Sequence, residues 1–128
     1  MSTGILIKAV LELRLDQLGS HESMPDSQAK FSVGQLIHHL LFDYRGVIFD
    51  VDAEFQGPED WYAQMARSRP PRDEPWYHVL VHNGTHTTYV AERNLDSDAS
   101  EEPIRHPLVE ELFDGFEKGH YVVRRRVN

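Results

Sequence analysis

The chain has 128 residues, of which 40% are hydrophobic and 10% aromatic, and this suits one globular domain with a modest core. Its 21 acidic and 13 basic side chains give a net charge of −8, which disfavours a protein whose main task is to hold a phosphate backbone. With no cysteine, disulfide and thiol chemistry are excluded. No stretch approaches the roughly 18 apolar residues of a membrane span, and we expect a cytoplasmic protein that does not bind membranes.

Residues 1–29 are predicted to be an N-terminal extension and linker, followed by one domain over residues 30–128. Apolar residues from Ile7 to Leu18 have the spacing of a weak amphipathic helix, and a polar stretch follows them. Met24 offers a second start of translation. We therefore assign no function to the first 23 residues.

Two strands are predicted at the beginning of the domain. The first is Val33–His39, opened by Gly34, and the second is Tyr44–Val51. Gly46 interrupts the pattern of the second strand, which indicates either a bulge or the close approach of another backbone.

A short helix is predicted in the insert 53–74. Pro58 is tolerated in a first helical turn, and the two acidic residues after it favour the positive end of the helix dipole. Trp61 and Met65 lie four residues apart, as do Tyr62 and Ala66. One side of the helix could therefore cover an open edge or end of the sheet.

A β-hairpin is predicted from Pro75 to Leu95, because two β-rich arms flank Asn83-Gly84, a pair typical of a two-residue type I′ turn. This turn pairs His82 with Thr85, and the register continues to His78 opposite Tyr89. The more apolar face is expected to point inward and carries Tyr77, Val79, Val81, His86, Thr88 and Val90. The other face is expected to point outward and carries His78, Leu80, His82, Thr85, Thr87 and Tyr89.

After the hairpin, an acidic loop is predicted from Glu92 to Arg105. A C-terminal helix is predicted from His106 or Pro107 to Glu117, because its apolar residues form one helical stripe. Gly119 ends this helix. Residues 120–126 then form a β-prone tail that ends in three arginines.

Eight histidines suggest a metal site, but their spacing argues against one. His38 and His39 are neighbours on a strand and point to opposite faces. His78 and His82 share a face, yet lie roughly 13 Å apart, too far for both to bind an ion at about 2 Å. A metal site in which His82 is joined by a residue from a neighbouring strand stays possible. Otherwise we expect neither a metal nor a cofactor.

Asp50 and Asp52 share a strand face and could form a carboxylate pair. The chain contains no GxSxG, Walker A, GxGxxG or HExxH pattern. We therefore expect a polar strand end and a protein that is not an enzyme. A hydrolase would require a pocket that joins one of these carboxylates to a histidine.

Several motifs resemble the hemimethylated-DNA-binding, YccV-like family. They match it in order and spacing from residue 30 to about 96, and they are Lys30-Phe31, Val33-Gly34-Gln35, His39, Tyr44–Ile48, Asp52, Pro75–Val79, Thr88–Glu92 and Asn94-Leu95. The resemblance implies a small SH3-like β-barrel. The predicted fold class is thus mainly β, with a short helix in the insert before the hairpin and a C-terminal helix.

The resemblance also implies two activities: binding of hemimethylated DNA, and a heat-shock role as a factor that enhances degradation of denatured client proteins by Lon protease. We favour the second as a non-enzymatic adaptor, because an acidic chain lacks the continuous basic face of a DNA-binding protein. An exposed sheet edge would also permit self-association into a homo-oligomer.

Partner contacts are predicted at exposed aromatic side chains and at the C-terminal arginines. The candidates are Tyr44, Trp61, Trp76, His78, Arg124, Arg125 and Arg126. The first four would equally suit the core or rim of a barrel. The DNA-binding alternative uses Arg67, Arg69 and Arg72 together with the C-terminal arginines.

Overall fold

The computed structural model describes residues 29–66 and 68–124 and contains seven strands and two short helices within them. In chain order they are β1 (Leu36–His39), β2 (Arg45–Asp52), α1 (Glu59–Met65), β3 (Trp76–Val81), β4 (Thr87–Ala91), β5 (Leu95–Ser97), α2 (Val109–Leu112), β6 (Phe113–Glu117) and β7 (His120–Val123). The predicted mainly β class is confirmed. The predicted N-terminal helix lies outside the described residues.

Five strands form one antiparallel sheet in the order β4-β3-β2-β1-β5, and β6 and β7 form a separate two-stranded sheet. Strands β4 and β5 lie at opposite ends of the larger sheet. Over the part of the chain that is described, the sheet therefore does not close on itself, and a closed SH3-like barrel is not confirmed. None of the described helices is long and apolar enough to cross a membrane.

Both faces of the five-stranded sheet are buried. One face carries the cluster that includes Tyr77, Val79 and Val90, as the hairpin pattern predicts, but His86, which was expected on the same face, is exposed. The expectation that the opposite face points outward is wrong at Leu80, which is fully buried. The β6-β7 hairpin packs against that face and contributes Tyr121 to the cluster around Leu80.

The predicted register of the β3-β4 hairpin is confirmed, with Leu80 opposite Thr87 and His78 opposite Tyr89. The predicted type I′ turn is wrong, since such a turn needs positive φ at both central residues and only Asn83 has it, at 66°. The Gly84 N–H instead donates to the Val81 carbonyl at 3.1 Å. The chain therefore reverses one residue earlier than predicted, and the pairing is unchanged.

The predicted C-terminal helix is wrong beyond Leu112, where α2 ends after four residues. Residues Phe113–Glu117 form β6 and pair with β7. The turn between them is Lys118-Gly119, with φ of 53° and 76°, as a type I′ turn requires. Packing of Phe113 in the core overrides the helical spacing of its neighbours.

The predicted acidic loop after β4 is also partly regular, because a 3-10 turn at Glu92–Asn94 leads directly into β5. Of the two alternatives for Gly46, the close approach of another backbone is confirmed, because a Cβ at this residue would lie 2.6 Å from the Leu80 carbonyl oxygen. The bulge lies elsewhere, where the β2-β3 register shifts between Ile48 and Asp50.

Candidate functional site

A groove of about 430 Å³ follows β4, the terminal strand of the sheet. Its lining is mainly apolar and aromatic and includes Phe42, Tyr44, Trp61, Met65, Tyr89 and Ala91. Such a concave apolar surface is the usual form of a binding site.

The two walls of the groove lie on opposite sides of β4. Neighbouring residues of a strand point to opposite faces. The Tyr44 hydroxyl lies 2.7 Å from Thr88 Oγ1, whereas the Trp61 ring lies 5.8 Å from the ring of the next residue, Tyr89. The edge of β4 therefore runs along the bottom of the groove, between a wall from the β1-β2 loop and a wall from α1.

The first wall is held by His39, which is 4% exposed. Its Nδ1 accepts hydrogen bonds from the backbone N–H groups of Leu41 and Phe42, both at 3.1 Å. Its ring also lies 4.9 Å from those of Phe42 and Tyr44. Burial, and then the neighbouring His38, lower the pKa of His39 and so favour the neutral ring that can accept these bonds. The loop it fixes leaves Phe42 72% exposed.

The second wall rests on an aromatic cluster beneath α1. The helix begins after Pro58 as predicted, and the side that covers the sheet is the one with Tyr62. The Tyr62 hydroxyl donates to the Pro70 carbonyl at 2.6 Å, and Trp76 Nε1 donates to the Pro71 carbonyl at 3.0 Å. These bonds hold the buried side of the helix, which leaves Met65 on the groove side, 62% exposed.

A group of polar side chains lies on the β2-β3-β4 face next to this groove. Asp50 and Asp52 are buried, and their carboxylate oxygens and a His78 ring nitrogen lie within 4.8 Å of one another. His78 Nε2 is 3.2 Å from Asp52 Oδ2, which also accepts a hydrogen bond from the Tyr89 hydroxyl at 2.5 Å. The two aspartates are more than 20 residues from His78 in the sequence, and the fold brings them together.

The residues that line the groove lie within a span that matches a known family. A family model described as hemimethylated DNA-binding protein YccV-like matches residues 29–120. The chain belongs to the YccV-like family. The matched span contains the five-stranded sheet, α1 and the whole lining of the groove, so the groove belongs to the YccV-like domain itself.

Of the residues predicted to contact partners, Tyr44, Trp61 and His78 line the groove of the YccV-like domain. Trp76 lies at its base but is only 1% exposed, and it packs in the core. Core packing was one of the alternatives predicted for Trp76, and partner contact was the other. Contact roles for all four residues stay predictions.

Three of the predicted arginines, Arg69, Arg72 and Arg124, lie among the described residues, and the last two are paired with acidic side chains. Arg72 bonds Glu59 and lies over the Tyr62 ring, 4.0 Å from its centroid. Arg124 donates to the Glu110 carbonyl at 2.6 Å, and its Nε lies 3.6 Å from Asp114 Oδ1. Arg69 lies in the loop after α1, with φ of 52°. Arg67, Arg125 and Arg126 lie outside the described residues.

Sequence reasoning missed the exposed apolar side chains of the groove walls, chiefly Leu41 and Phe42. The sequence feature that could have indicated this wall is the run Leu40-Leu41-Phe42 directly before Asp43. Three consecutive apolar residues are unusual in an exposed loop. Leu40 is 52% exposed and does not line the groove.

Proposed function

We propose that this YccV-like protein is a non-enzymatic adaptor that enhances the degradation of denatured client proteins by Lon protease in the cytoplasm. The observation that supports this proposal is an apolar groove along a terminal strand. Long apolar patches at an exposed sheet edge are typical of surfaces that bind other chains.

The hydrogen-bond pattern of β3 and β4 supports binding of an extended chain. The Val81 N–H donates to the His86 carbonyl, which makes this a hydrogen-bonded pair. Because such pairs alternate in an antiparallel ladder, the backbone N–H and C=O groups of Thr87 and the N–H group of Ala91 point away from β3. An added strand would pair with these groups.

An unfolded client segment has the features that fit this groove. Side chains of an extended segment alternate between two sides, so they would pack in turn against the walls of Phe42 and Met65. Denatured proteins expose apolar segments that are buried when folded. Holding such a segment close to the protease would raise its effective concentration there.

Docking to Lon is proposed to use the C-terminal tail. Arg124 is paired with the domain's own Asp114, and the docking role therefore falls to Arg125 and Arg126. Deleting residues 125–128 should weaken Lon binding in a pull-down and leave the β6-β7 pairing intact. Undiminished binding would exclude the tail as the docking element.

We further propose that the five-stranded sheet is an SH3-like barrel left open along β4. The order β4-β3-β2-β1-β5 of short antiparallel strands supports this, and the opening would coincide with the groove. The same edge would allow two copies to pair, so client binding and self-association would compete.

A reconstituted degradation assay with Lon and a denatured client tests the proposal. The protein should accelerate client degradation, and Phe42→Ser and Met65→Ser should each reduce this acceleration several-fold by removing apolar contact area. Leu40→Ser is the matched control, because Leu40 is similarly exposed but lies outside the groove. The proposal would be contradicted if the protein does not accelerate client degradation. It would also be contradicted if all three substitutions reduce the acceleration equally.

The second candidate function is binding of hemimethylated DNA, which is favoured by the description of the family. It would use Arg67, Arg69 and Arg72 with the C-terminal arginines. It predicts tighter binding to hemimethylated than to fully methylated duplex and an affinity that falls steeply with salt. A mobility shift that shows no methylation preference would exclude it.

A further inference from the structure

The Asp50, Asp52 and His78 side chains form a compact set of metal-ligand types. Each offers one ligand atom, and the three atoms lie within 4.8 Å of one another. Asp52 is 1% exposed and Asp50 6% exposed, and the His78 side chain is 21% exposed. The set is therefore largely buried, and its imidazole is the part that solvent reaches.

The geometry of the sheet makes this arrangement rigid. Asp50 pairs directly with His78 across β2 and β3, and Asp52 pairs with Trp76 two positions along. A bulge lets both Phe49 and Asp50 oppose His78, and this turns Asp50 to the face that carries Asp52. The ligands therefore come from two adjacent, paired strands rather than from a loop.

The donor set has a definite metal preference. Two carboxylate oxygens and one imidazole nitrogen suit divalent first-row ions such as Zn²⁺ and Mn²⁺. Bonds of about 2.0–2.2 Å place ligand atoms of a tetrahedral ion about 3.4 Å apart. His78 Nε2 and Asp52 Oδ2, at 3.2 Å, are close to this separation.

The negative charge of the two carboxylates and the hydrogen bond from Tyr89 also fit a cation. Two carboxylates so close together repel each other when both are charged, and a divalent ion between them removes that repulsion. The Tyr89 hydroxyl donates to Asp52 Oδ2 at 2.5 Å, which is the kind of contact that orients a metal-binding carboxylate. His78 and Tyr89 also line the groove, and this gives an ion an entry path.

We propose that Asp50, Asp52 and His78 bind a divalent transition-metal ion, with Zn²⁺ as its representative. The ion would bridge β2 and β3 beside the groove and would leave at least one coordination position facing it. This site is independent of the adaptor function, because it would bind an ion whether or not a client is present.

The test is a titration of the untagged, chelator-treated full chain with Zn²⁺. Calorimetry measures the affinity and stoichiometry of binding, and the melting temperature is measured at each metal concentration. Co²⁺ provides a second probe, because its visible absorption bands report coordination by the protein. The wild-type chain should bind one ion in this site, and its melting temperature should rise with metal concentration. His78→Gln and Asp50→Asn should each weaken binding at least about tenfold.

His38→Gln is the matched control. His38 also pairs with an aspartate, since its Nε2 lies 2.6 Å from Asp43 Oδ1, but this pair does not belong to the three-ligand group. Binding should therefore be unchanged in this variant. The proposal would be overturned if the wild-type chain binds no ion. It would also be overturned if both His78→Gln and Asp50→Asn still bind the ion while circular dichroism shows that they are folded.

Discussion

Replacing His39 tests whether one buried imidazole holds the first wall of the groove. In His39→Ala, the N–H groups of Leu41 and Phe42 lose their acceptor, and each lost hydrogen bond costs about 0.5–1.5 kcal/mol. Loss of the ring contacts with Phe42 and Tyr44 adds about 0.5–1.5 kcal/mol. We therefore expect the free energy of unfolding to fall by about 1.5–4.5 kcal/mol.

The same side chain makes stability depend on pH. Burial lowers the pKa of His39 in the folded protein, while the unfolded chain takes up a proton near 6.5. The unfolded state thus binds more protons as the pH falls below 6.5. The stabilising contribution of His39 is complete above that pH, and it is lost progressively as the pH falls through the folded pKa. Burial lowers the pKa of His82 and His106 too, and these shifts have the same sign.

Urea unfolding, followed by tryptophan fluorescence, measures both effects at pH 8 and pH 5.5. His39→Asn keeps an acceptor near the position of Nδ1 and cannot be protonated, so it should cost less at pH 8 and show a smaller loss at pH 5.5 than the wild type. His38→Ala, which removes only a solvent-exposed pair, should cost less than about 1 kcal/mol. Equal pH dependence in the wild type and His39→Asn would refute the reasoning.

Two pairs of substitutions test backbone geometry. Gly46→Ala should lower the free energy of unfolding by about 1–3 kcal/mol through overpacking, because its Cβ would lie 2.5 Å from Val79 Cγ1. Gly115→Ala is the control, since no atom lies within 4 Å of its Cβ. It should leave the free energy of unfolding nearly unchanged in the same urea assay. Lys118→Gly should raise the melting temperature, because it relieves a positive φ of 53° that costs about 1 kcal/mol in a non-glycine residue. Gly119→Ala should lower it, and similar melting temperatures for the two turn variants would contradict the assigned turn.

Pairing across the β3-β4 hairpin could be predicted because alternation and a turn signal fix it together. Leu80 opposite Thr87 follows from the position of Asn83-Gly84 in the chain. The outward orientation of Leu80 was wrong, since its burial depends on β6 and β7, which lie more than 30 residues away in the sequence. Local pattern determines which residues share a face, whereas a distant element determines whether that face is covered.

The C-terminal hairpin shows the opposite case, in which local pattern misleads. Leu108, Leu112 and Phe116 have helical spacing, but the last of them lies in β6. Phe113 and Tyr121 gain more from packing on the sheet, with rings 5.1 Å apart, than this segment would gain as the end of a short helix. The sequence feature that indicates a hairpin is the pair Lys118-Gly119, because glycine favours the positive φ of its turn. Gly119 was instead predicted to end a helix.

The bulge in β2 explains why the cluster of Asp50, Asp52 and His78 could not be predicted from alternation. Ile48 pairs with Val79 in the apolar face, and strict alternation would place Asp50 on that same face, opposite Tyr77. The register shift pairs Asp50 with His78 instead. Nothing in the letters Ile48-Phe49-Asp50 requires a bulge, but an unbroken ladder would bury a carboxylate within an apolar cluster, at a cost of several kcal/mol. The cost of that alternative selects the bulge, and the bulge in turn brings two carboxylates to one imidazole.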